Sequence, residues 1–272
     1  MNKYTELKKI IGQYSSAVIA FSGGVDSTFL AFAAKEVLGD NVLLITATSS
    51  TYPFYELEEA KKLAKILQLK HKIIVSEEID IPNFSDNPPD RCYYCKGELF
   101  TLINQIAQEG SYDAVFEGSN VDDRSDFRPG RKAIKEKGII SPLNEAELSK
   151  KEIRNYSKQF KLPTADKPSY ACLASRFPYG ESITKEKLDR VGGAELALRE
   201  LEFHQFRVRS HGDLARIELS GDEMEKGWKM RSQLVTLCKK AGFVFVSIDL
   251  QGYRTGAMNE ALSRGNNGPA KE

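Results

Sequence analysis

Short apolar segments alternate with longer amphipathic segments along the first part of the chain. Four short runs, rich in Val and Ile and too short for buried helices, predict strands at residues 17–21, 42–47, 72–75 and 114–117. Between them, apolar residues recur at helical spacing over residues 28–37, 56–69 and 98–108. Such alternation predicts an α/β fold with a doubly wound, mostly parallel sheet and helices on both faces.

The helix that closes this half of the chain is marked by its first residues. Ser149 and Glu152 have the spacing of a capping box, in which each side chain bonds the other residue's backbone. The helical pattern stops near residues 161–163. We therefore predict a first domain over residues 1–163.

A stretch without periodicity, TADKPSYACLASRFPYGE at residues 164–181, follows this domain and predicts an ordered connecting segment. The patterns beyond it predict a small α+β domain over residues 182–262. Its elements are a strand pair within FRVRSHGDLARIEL, helices at 185–202 and 222–240, and a strand at 243–250. The polar residues 263–272 predict a disordered tail.

Charge and hydropathy narrow the function classes. The 272 residues include 39 Lys and Arg against 38 Asp and Glu, a net charge of +1, which argues against a nucleic-acid partner. No apolar run approaches ~20 residues, so no membrane span is expected, and the N-terminal residues lack a signal-peptide pattern. We expect a cytoplasmic protein, in which four cysteines suit metal binding, catalysis or packing better than disulfides.

The hexapeptide SGGVDS at residues 22–27 lies between a predicted strand and a predicted helix. Helix N-termini present unpaired N–H groups and partial positive charge, and glycines let the backbone close around an anion. The loop therefore predicts phosphate binding, with a plain strand–helix turn as the alternative. It lacks the lysine of a Walker A loop. Asp26 would repel phosphate unless a cation intervened, so it is a candidate Mg²⁺ ligand.

This hexapeptide resembles the pyrophosphate loop of the N-type ATP pyrophosphatases, the PP-loop superfamily. These enzymes split ATP between the α- and β-phosphates and adenylate a substrate oxygen. The resemblance implies that pyrophosphate is held by Ser22, Gly23, Gly24, Asp26 and Ser27. It also implies that Ala47 and Thr48, at the end of the second strand, lie beside the adenosine, since open α/β sheets bind ligands at that edge. The polar segment 117–133 suits contacts to the two substrates or is a solvated loop.

Two cysteines with C-x-x-C spacing, Cys92 and Cys95, leave three interpretations open: a metal site, a redox dithiol or coincidence. A redox pair commonly opens a helix in a thioredoxin-like unit, which the pattern does not predict. Zinc would need four ligands, and the candidates for the remainder are Cys172, Cys238 and the three histidines. Cys238 lies on an apolar helix face, which predicts packing instead.

Cys172 lies in the connecting segment near Arg176, and a cationic neighbour favours a thiolate; a buried, unreactive thiol is the alternative. The stretch PSYACLASRFPYGE, together with SGGVDS, resembles the LarE-type ATP-dependent sulfur transferases, which act in making the nickel-pincer nucleotide cofactor of lactate racemase. The resemblance covers nearly the whole chain. It implies adenylation of a pyridinium dicarboxylate mononucleotide and sulfur insertion to give a thiocarboxylate, with catalytic roles for Cys172, Asp26 and Arg176.

The source of the sulfur distinguishes two mechanisms within this family. In one, the cysteine matching Cys172 gives up its sulfur and becomes dehydroalanine. In the other, three cysteines hold a [4Fe–4S] cluster, whose fourth iron carries exogenous sulfide. Because this chain adds Cys92 and Cys95, the resemblance favours a cluster held by Cys92, Cys95 and Cys172, with ATP and Mg²⁺ as further cofactors. It also implies a sulfide source as a partner and a homo-oligomer.

The strand period of FRVRSHG places Arg207, Arg209 and His211 on one face. Three potential cations in a row suit the phosphate of a substrate. The solvated polar face of an antiparallel sheet is the alternative.

Other charged and polar residues near these motifs are weaker candidates. Lys96 and Ser175 are candidates for substrate binding, and Lys96, Lys132 and Arg176 for offsetting phosphate charge. Acidity alone makes Glu195 and Glu218 candidate metal ligands.

Three rival functions remain open on the sequence. A tRNA thiolase of the same superfamily would also use ATP and a cysteine-held cluster. An ammonia-dependent ligase of the NAD or GMP synthetase type would leave the C-x-x-C pair unexplained. A nucleotide-sensing module would bind ATP without turnover.

Overall fold

The computed structural model describes residues 2–124, 129–254 and 256–260. Within them the chain forms two compact units. The first contains the described residues up to Phe84 and Pro89–Tyr170, and the second contains Ser85–Pro88 and the described residues from Ala171 onward. The predicted connecting segment 164–181 is thus divided after Tyr170, and the predicted tail at 263–272 lies outside the described residues.

A four-stranded parallel sheet with the strand order β3-β2-β1-β4 forms the centre of the first unit. Its strands are β1 (Ala17–Ala20), β2 (Val42–Thr48), β3 (Lys70–Val75) and β4 (Ala114–Phe116). Ala17 is in register with Val42 on one side and with Ala114 on the other. Strand β1, an inner strand of the sheet, is apolar, as is typical of strands that helices cover on both faces. The predicted α/β fold with a parallel sheet is confirmed.

Seven helices of the described chain flank this sheet. They are α1 (Lys3–Ile11), α2 (Val25–Leu38), α3 (Phe54–Ile66), α4 (Arg91–Glu109), α5 (Gly130–Glu136), α6 (Pro142–Glu145) and α7 (Lys150–Gln159). The capping box of α7 is confirmed: Ser149 N–H donates to Glu152 Oε2 at 2.9 Å, and Glu152 N–H donates to Ser149 Oγ at 3.3 Å.

The predicted start of α4 was wrong. This helix begins at Arg91 rather than at residue 98, so Cys92 and Cys95 lie in its first two turns. Arg91 is buried, whereas the next six residues, 92–97, are exposed or only partly buried. These turns therefore carry no apolar period from which a helix could be predicted.

The second unit contains a mixed three-stranded sheet and three helices of the described residues. Its elements are α8 (Lys185–Glu200), β5 (Phe206–His211), β6 (Leu214–Leu219), α9 (Met224–Lys229), α10 (Arg231–Lys240) and β7 (Phe245–Ile248). Strands β5 and β6 pair antiparallel through the predicted His-Gly-Asp turn, and β7 pairs parallel with β6. The helix predicted over 222–240 is two helices, which meet at Met230.

The short segment Ser85–Pro88 belongs to the second unit although the chain on both sides of it belongs to the first. Asn87 is buried and has a left-handed backbone with φ of 53°. Its amide Nδ2 donates to Pro178 O at 2.7 Å, and its carbonyl accepts from Gly180 N–H at 2.9 Å. The second unit is therefore completed by residues from an earlier part of the chain.

Across the described residues, no helix is both long and apolar enough to cross a membrane.

Candidate nucleotide and sulfur-transfer site

The loop SGGVDS joins β1 to α2 as predicted. Helix α2 begins at Val25, with Gly24 as its N-cap, and its first intrahelical bond runs from Thr28 N–H to Gly24 O at 3.0 Å. The N–H groups of Val25, Asp26 and Ser27 precede that bond, as the first donors of a helix do. The loop thus supplies the helix start that favours an anion.

Two hydroxyl groups lie together at this helix start. Ser22 Oγ is 3.2 Å from Ser27 Oγ, and Gly24 N–H donates to Ser22 Oγ at 3.4 Å. Gly23 has φ of +66°, which favours glycine, and a Cβ there would lie 3.1 Å from Ala60 Cα of α3. Both the conformation and the close approach to α3 therefore require glycine at position 23.

Two residues that the sequence did not indicate hold the outer side of the loop. Tyr52 donates from its hydroxyl to Ser22 O at 2.9 Å. Lys167 donates to Gly23 O at 3.2 Å and pairs with Glu56 and Glu59, each at 2.7 Å. Lys167 lies 144 positions from Gly23 and belongs to no recognisable motif, so only the tertiary structure reveals its contact with the loop.

Asp26 lies between an ammonium group and an amide. Lys150 Nζ donates to Asp26 Oδ2, and Asn120 Nδ2 donates to Asp26 Oδ1 at 3.3 Å. Burial raises the pKa of Asp26, and Lys150 partly opposes that rise. Gly118 approaches the same helix start, since a Cβ there would lie 3.1 Å from Ser27 N.

The predicted Mg²⁺ role of Asp26 can be tested against these contacts. The carboxylate already faces a cation, the Lys150 ammonium, which shows that this position accepts positive charge. Magnesium in phosphate sites commonly takes one or two carboxylates together with phosphate oxygens. The residues present therefore fit the ion, with Asp26 as its protein ligand.

The end of β2 lies at the same edge of the sheet, because parallel strands have their carboxyl ends together. Ala47 and Thr48 are half-buried there and pair with β3. The neighbouring Thr46 is buried. Its hydroxyl donates to Phe21 O at 2.6 Å and lies 2.8 Å from His71 Nε2. Thr46 thus fixes the residue before the loop, and the adenosine contact of Ala47 and Thr48 stays a prediction.

Cys92 is exposed and Cys95 is half-buried at the start of α4. Cys95 Sγ lies 3.9 Å from Glu78 Oε1, and Glu78 Oε2 accepts from Thr51 Oγ1 at 3.2 Å. Thr51 lies three positions after the end of β2, so Cys95 is linked to the carboxyl edge of the sheet. Lys96 is the residue after Cys95, and its side chain packs closely on Gly130. A Cβ added at position 130 would lie 2.6 Å from Lys96 Cδ.

In the second unit, Cys172 comes directly before a short 3₁₀ turn, Leu173–Arg176. Its carbonyl accepts from Ser175 N–H at 3.0 Å and from Ser175 Oγ at 2.9 Å. Arg176 is buried and donates to Glu195 through Nε at 2.7 Å and Nη2 at 2.9 Å, while its Nη1 donates to Ala171 O at 3.0 Å. Ser175 and Arg176 therefore hold the backbone at Cys172.

Arg207 and Arg209 are only 7% and 5% exposed, which rules out the solvated face that was the alternative for this strand. Arg209 Nε donates to Glu218 at 3.0 Å and Nη1 donates to Ser175 O at 2.7 Å. Arg207 stacks on the Tyr253 ring at 5.1 Å, and desolvation lowers its pKa. The strand thus belongs to a buried charged cluster that includes the turn after Cys172.

Glu195 and Glu218 are partners of these arginines. Glu195 pairs with Arg176 and also accepts from Val208 N–H at 2.9 Å. Burial raises the pKa of Glu195, but Arg176, Arg207 and the Val208 N–H together lower it further, so the net pKa is lowered. Cys238 is fully buried, and burial raises its pKa to about 11, so its predicted packing role is confirmed.

Within residues 2–124, 129–254 and 256–260, no group of three or more His, Cys, Asp or Glu side chains is arranged to hold a metal ion. The predicted cluster and magnesium ion therefore rest on the chemistry of their ligands and on family resemblance.

Comparison with known proteins identifies the family. A model of the NAD synthase family matches residues 5–87. An uncharacterized protein of Synechocystis is 44% identical, over 97% of this chain and 99% of its own. The pyridinium-3,5-bisthiocarboxylic acid mononucleotide synthase of Lactiplantibacillus plantarum is 36% identical over 90% of each chain. This chain belongs to the LarE-type family.

These similarities cover different shares of the LarE-type chain. The NAD synthase similarity ends within the segment 85–88 and includes the SGGVDS loop. Similarity to the tRNA-5-methyluridine(54) 2-sulfurtransferase of Pyrococcus horikoshii, 30% identical, covers 47% of this chain and 42% of that one. The similarity to the mononucleotide synthase, in contrast, extends over most of both units.

Proposed function

We propose that this LarE-type chain is an ATP-dependent sulfur transferase. It adenylates a carboxylate of a pyridinium dicarboxylate mononucleotide, releases pyrophosphate and inserts sulfur to give a thiocarboxylate. The observation that carries the proposal is the SGGVDS helix start with Asp26 beside it, in a chain similar along 90% of its length to a pyridinium-3,5-bisthiocarboxylic acid mononucleotide synthase.

In the first step, a carboxylate oxygen of the acceptor attacks the α-phosphorus of ATP. The bond from that phosphorus to the bridging oxygen breaks, and pyrophosphate leaves with the electron pair. The helix start at Gly24 and the hydroxyls of Ser22 and Ser27 bind the anionic leaving group. When bound, Mg²⁺ would be held by Asp26 and would supply charge neutralisation at the phosphate oxygens. Ala47 and Thr48 would contact the adenosine.

Charge in the second unit supports binding of the acceptor there. Arg207 and Arg209 are buried on one strand, and the buried acids Glu195 and Glu218 pair with Arg176 and Arg209. Guanidinium groups suit phosphate, because their planar set of donors matches its oxygens. We assign the acceptor's phosphate to Arg207 and Arg209, with Ser175 and Lys96 as further contacts.

For the sulfur step we propose a [4Fe–4S] cluster with Cys92, Cys95 and Cys172 as ligands. Cys92 and Cys95 are three positions apart on one helix, a spacing that puts both thiols on the same face. None of the three is fully buried, unlike Cys238. A cluster with three protein ligands would supply an open iron for exogenous sulfide. The alternative is a sacrificial reaction that consumes the Cys172 sulfur. A homo-oligomeric state and a cytoplasmic location remain predictions.

The deciding experiment is the iron and acid-labile sulfide content of protein purified without oxygen. We expect iron in the wild type, its loss in each of Cys92→Ala, Cys95→Ala and Cys172→Ala, and its retention in the matched control Cys238→Ala. With added sulfide, turnover should exceed one per chain. A single turnover with dehydroalanine at Cys172, together with an active Cys92→Ala variant, would establish the sacrificial mechanism instead.

Two further measurements separate the rival functions. Acceptor-dependent pyrophosphate release distinguishes the proposed enzyme from a module that only binds nucleotide. Filter binding with bulk tRNA distinguishes it from a tRNA thiolase, and an ammonia requirement would indicate a ligase of the NAD or GMP synthetase type.

A further inference from the structure

Two side chains from outside the loop that follows β1 hold two consecutive carbonyl groups of its glycine turn. Tyr52 donates from its hydroxyl to Ser22 O at 2.9 Å. Lys167 Nζ donates to Gly23 O at 3.2 Å. In a trans peptide, the carbonyl and the N–H of the following residue point in opposite directions. Fixing these two carbonyls therefore also fixes the N–H groups of Gly23 and Gly24.

The N–H of Gly24 points toward the side of the loop where an anion is expected. It donates to Ser22 Oγ at 3.4 Å, and that hydroxyl lies 3.2 Å from Ser27 Oγ in the first turn of α2. Consecutive N–H groups on one side of a turn form a concave nest for an anion. Because glycine has no Cβ, the peptide between Gly23 and Gly24 can rotate at little steric cost. A carbonyl turned inward by such a rotation would repel phosphate, so the nest needs an external hold.

The charge of Lys167 is already matched within the protein. Its ammonium lies 2.7 Å from Glu56 and 2.7 Å from Glu59, in addition to its contact with Gly23 O. An ammonium has three N–H donors, so these three acceptors use all of them. The Lys167 side chain is only 13% exposed, and Glu56 is buried. Lys167 is therefore suited to hold the loop backbone rather than to bind pyrophosphate itself.

Helix α3 connects both donors to the loop. Glu56 and Glu59 are three positions apart and lie on one face of this helix. The loop packs on the same part of the helix, because a Cβ at Gly23 would lie 3.1 Å from Ala60 Cα. Tyr52 lies just before the helix, and burial raises its pKa, so its hydroxyl stays protonated and able to donate.

We propose that Tyr52 and Lys167 are positioning residues that keep the N–H groups of Gly23 and Gly24 directed at the pyrophosphate leaving group, an inference that rests on the proposed function. Neither side chain contacts the anion. Each acts through a backbone carbonyl, and the N–H group of the same peptide then faces the β- and γ-phosphates. Donors held in place before the reaction stabilise the charge that develops on the leaving group.

Binding of inorganic pyrophosphate and of AMP, each measured by calorimetry with saturating MgCl₂, tests this role without the sulfur acceptor. AMP lacks the two phosphates that the nest would bind. Tyr52→Phe should weaken pyrophosphate binding about fivefold, as loss of a neutral hydrogen bond does, and AMP binding by less than about twofold. Tyr14→Phe is the matched control, because Tyr14 is half-buried and packs on Phe116. It should match the wild type for both ligands.

The role of Lys167 is tested at constant net charge. Lys167→Met alone would leave the buried Glu56 carboxylate without this partner, so it is combined with Glu56→Gln. The double variant loses one positive and one negative charge and keeps the net charge of the wild type. We expect it to bind pyrophosphate about tenfold more weakly than the wild type, as loss of a charge-assisted hydrogen bond does. AMP binding should change by less than about twofold.

Three single variants complete the Lys167 series. Glu56→Gln alone measures what the lost carboxylate contributes to the double variant. Lys167→Arg keeps the charge and a donor for the carbonyl, and should bind pyrophosphate within about threefold of the wild type. Lys62→Met removes an exposed charge from the same helix and should match the wild type. Circular dichroism and thermal unfolding confirm that each variant is folded.

Wild-type pyrophosphate binding in the double variant would show that Lys167 only balances charge, and would overturn its positioning role. Unchanged binding in Tyr52→Phe would do the same for Tyr52. Equal losses for pyrophosphate and AMP would indicate a general disturbance of the first unit and would overturn the proposal. Failure of the proposed function is distinguishable, because the wild type itself would then not bind pyrophosphate.

Discussion

Arg176 and Glu195 form a two-point ion pair in the interior of the second unit, with Nε 2.7 Å from Oε1 and Nη2 2.9 Å from Oε2. The remaining nitrogen of Arg176 donates to Ala171 O and to the Ser175 hydroxyl. One arginine therefore joins helix α8 to the backbone before Cys172 and to the Ser175 side chain after it.

Removal of one partner of this pair should destabilise the second unit. Glu195→Gln leaves the Arg176 guanidinium buried with a neutral partner, and breaking a buried pair costs about 3–5 kcal/mol. Urea unfolding measures this loss. Glu200→Gln, at the exposed end of the same helix, is the matched control and should change stability by less than about 0.5 kcal/mol. Equal effects of the two substitutions would contradict the role of the pair.

The same pair predicts a pH dependence. Because Arg176 lowers the pKa of Glu195 in the folded chain, the carboxylate's contribution is fully present above its unfolded pKa of ~4.3. It is lost as the pH falls through the lower folded value. The stability difference between wild type and Glu195→Gln should therefore hold from neutral pH to about pH 4 and shrink in stronger acid. A difference that does not depend on pH would mean that the ion pair is not its source.

Gly118→Ala should disturb the nucleotide loop while the fold is kept. Its Cβ would lie 3.1 Å from Ser27 N and 3.4 Å from Asp26 C, so the start of α2 has to shift. Displacements of this kind cost up to ~100-fold in rate, and we expect kcat/KM for ATP to fall by about tenfold.

Gly193→Ala is the matched control for this substitution. Gly193 lies within α8, and a Cβ there would meet only Ala241 Cβ at 3.9 Å. It should leave ATP kinetics unchanged and stabilise the helix by about 0.5–1 kcal/mol. Normal ATP kinetics in Gly118→Ala would show that the loop tolerates the shift.

Arg207→Met should act on the acceptor rather than on ATP. The substitution keeps apolar contact with Tyr253 and removes a charge that we assign to the acceptor's phosphate. The KM for the phosphorylated acceptor should rise about tenfold, while the KM for ATP stays within about twofold. The double variant Arg207→Ala, Arg209→Ala should show the same selectivity, with an added loss of stability because Arg209 also pairs with Glu218. Equal changes in the two KM values would indicate that this strand has only a structural role.

Local sequence signals predicted the parallel sheet and the loop, because a short apolar run and a glycine pair each determine structure within a few residues. The residues that surround the loop and contact it could not be predicted in this way. Lys150 lies 124 positions from Asp26, and Lys167 lies 111 positions from Glu56. No periodicity within one element indicates such a partner.

The strand with Arg207 and Arg209 shows a second limit of sequence analysis. A period of two separates the faces of a strand but does not show which face is buried. Polar side chains suggested solvent exposure. Burial is possible because Arg209 pairs with Glu218 and donates to the Ser175 carbonyl, while Arg207 donates to the Phe206 carbonyl and stacks on Tyr253. The burial of a charged face depends on partners that lie elsewhere in the sequence.

Ser85–Pro88 also has consequences for how the protein is made. Asn87 and the carbonyl of Phe177 that it contacts are 90 positions apart, so during vectorial synthesis these four residues leave the ribosome long before their partners. The second unit cannot close until the chain has grown past residue 183, where Ile183 N–H donates to Ser85 O at 2.8 Å. An expression fragment that starts at residue 171 would lack Ser85–Pro88, which is part of the second unit. No single cut in the gene separates the two units.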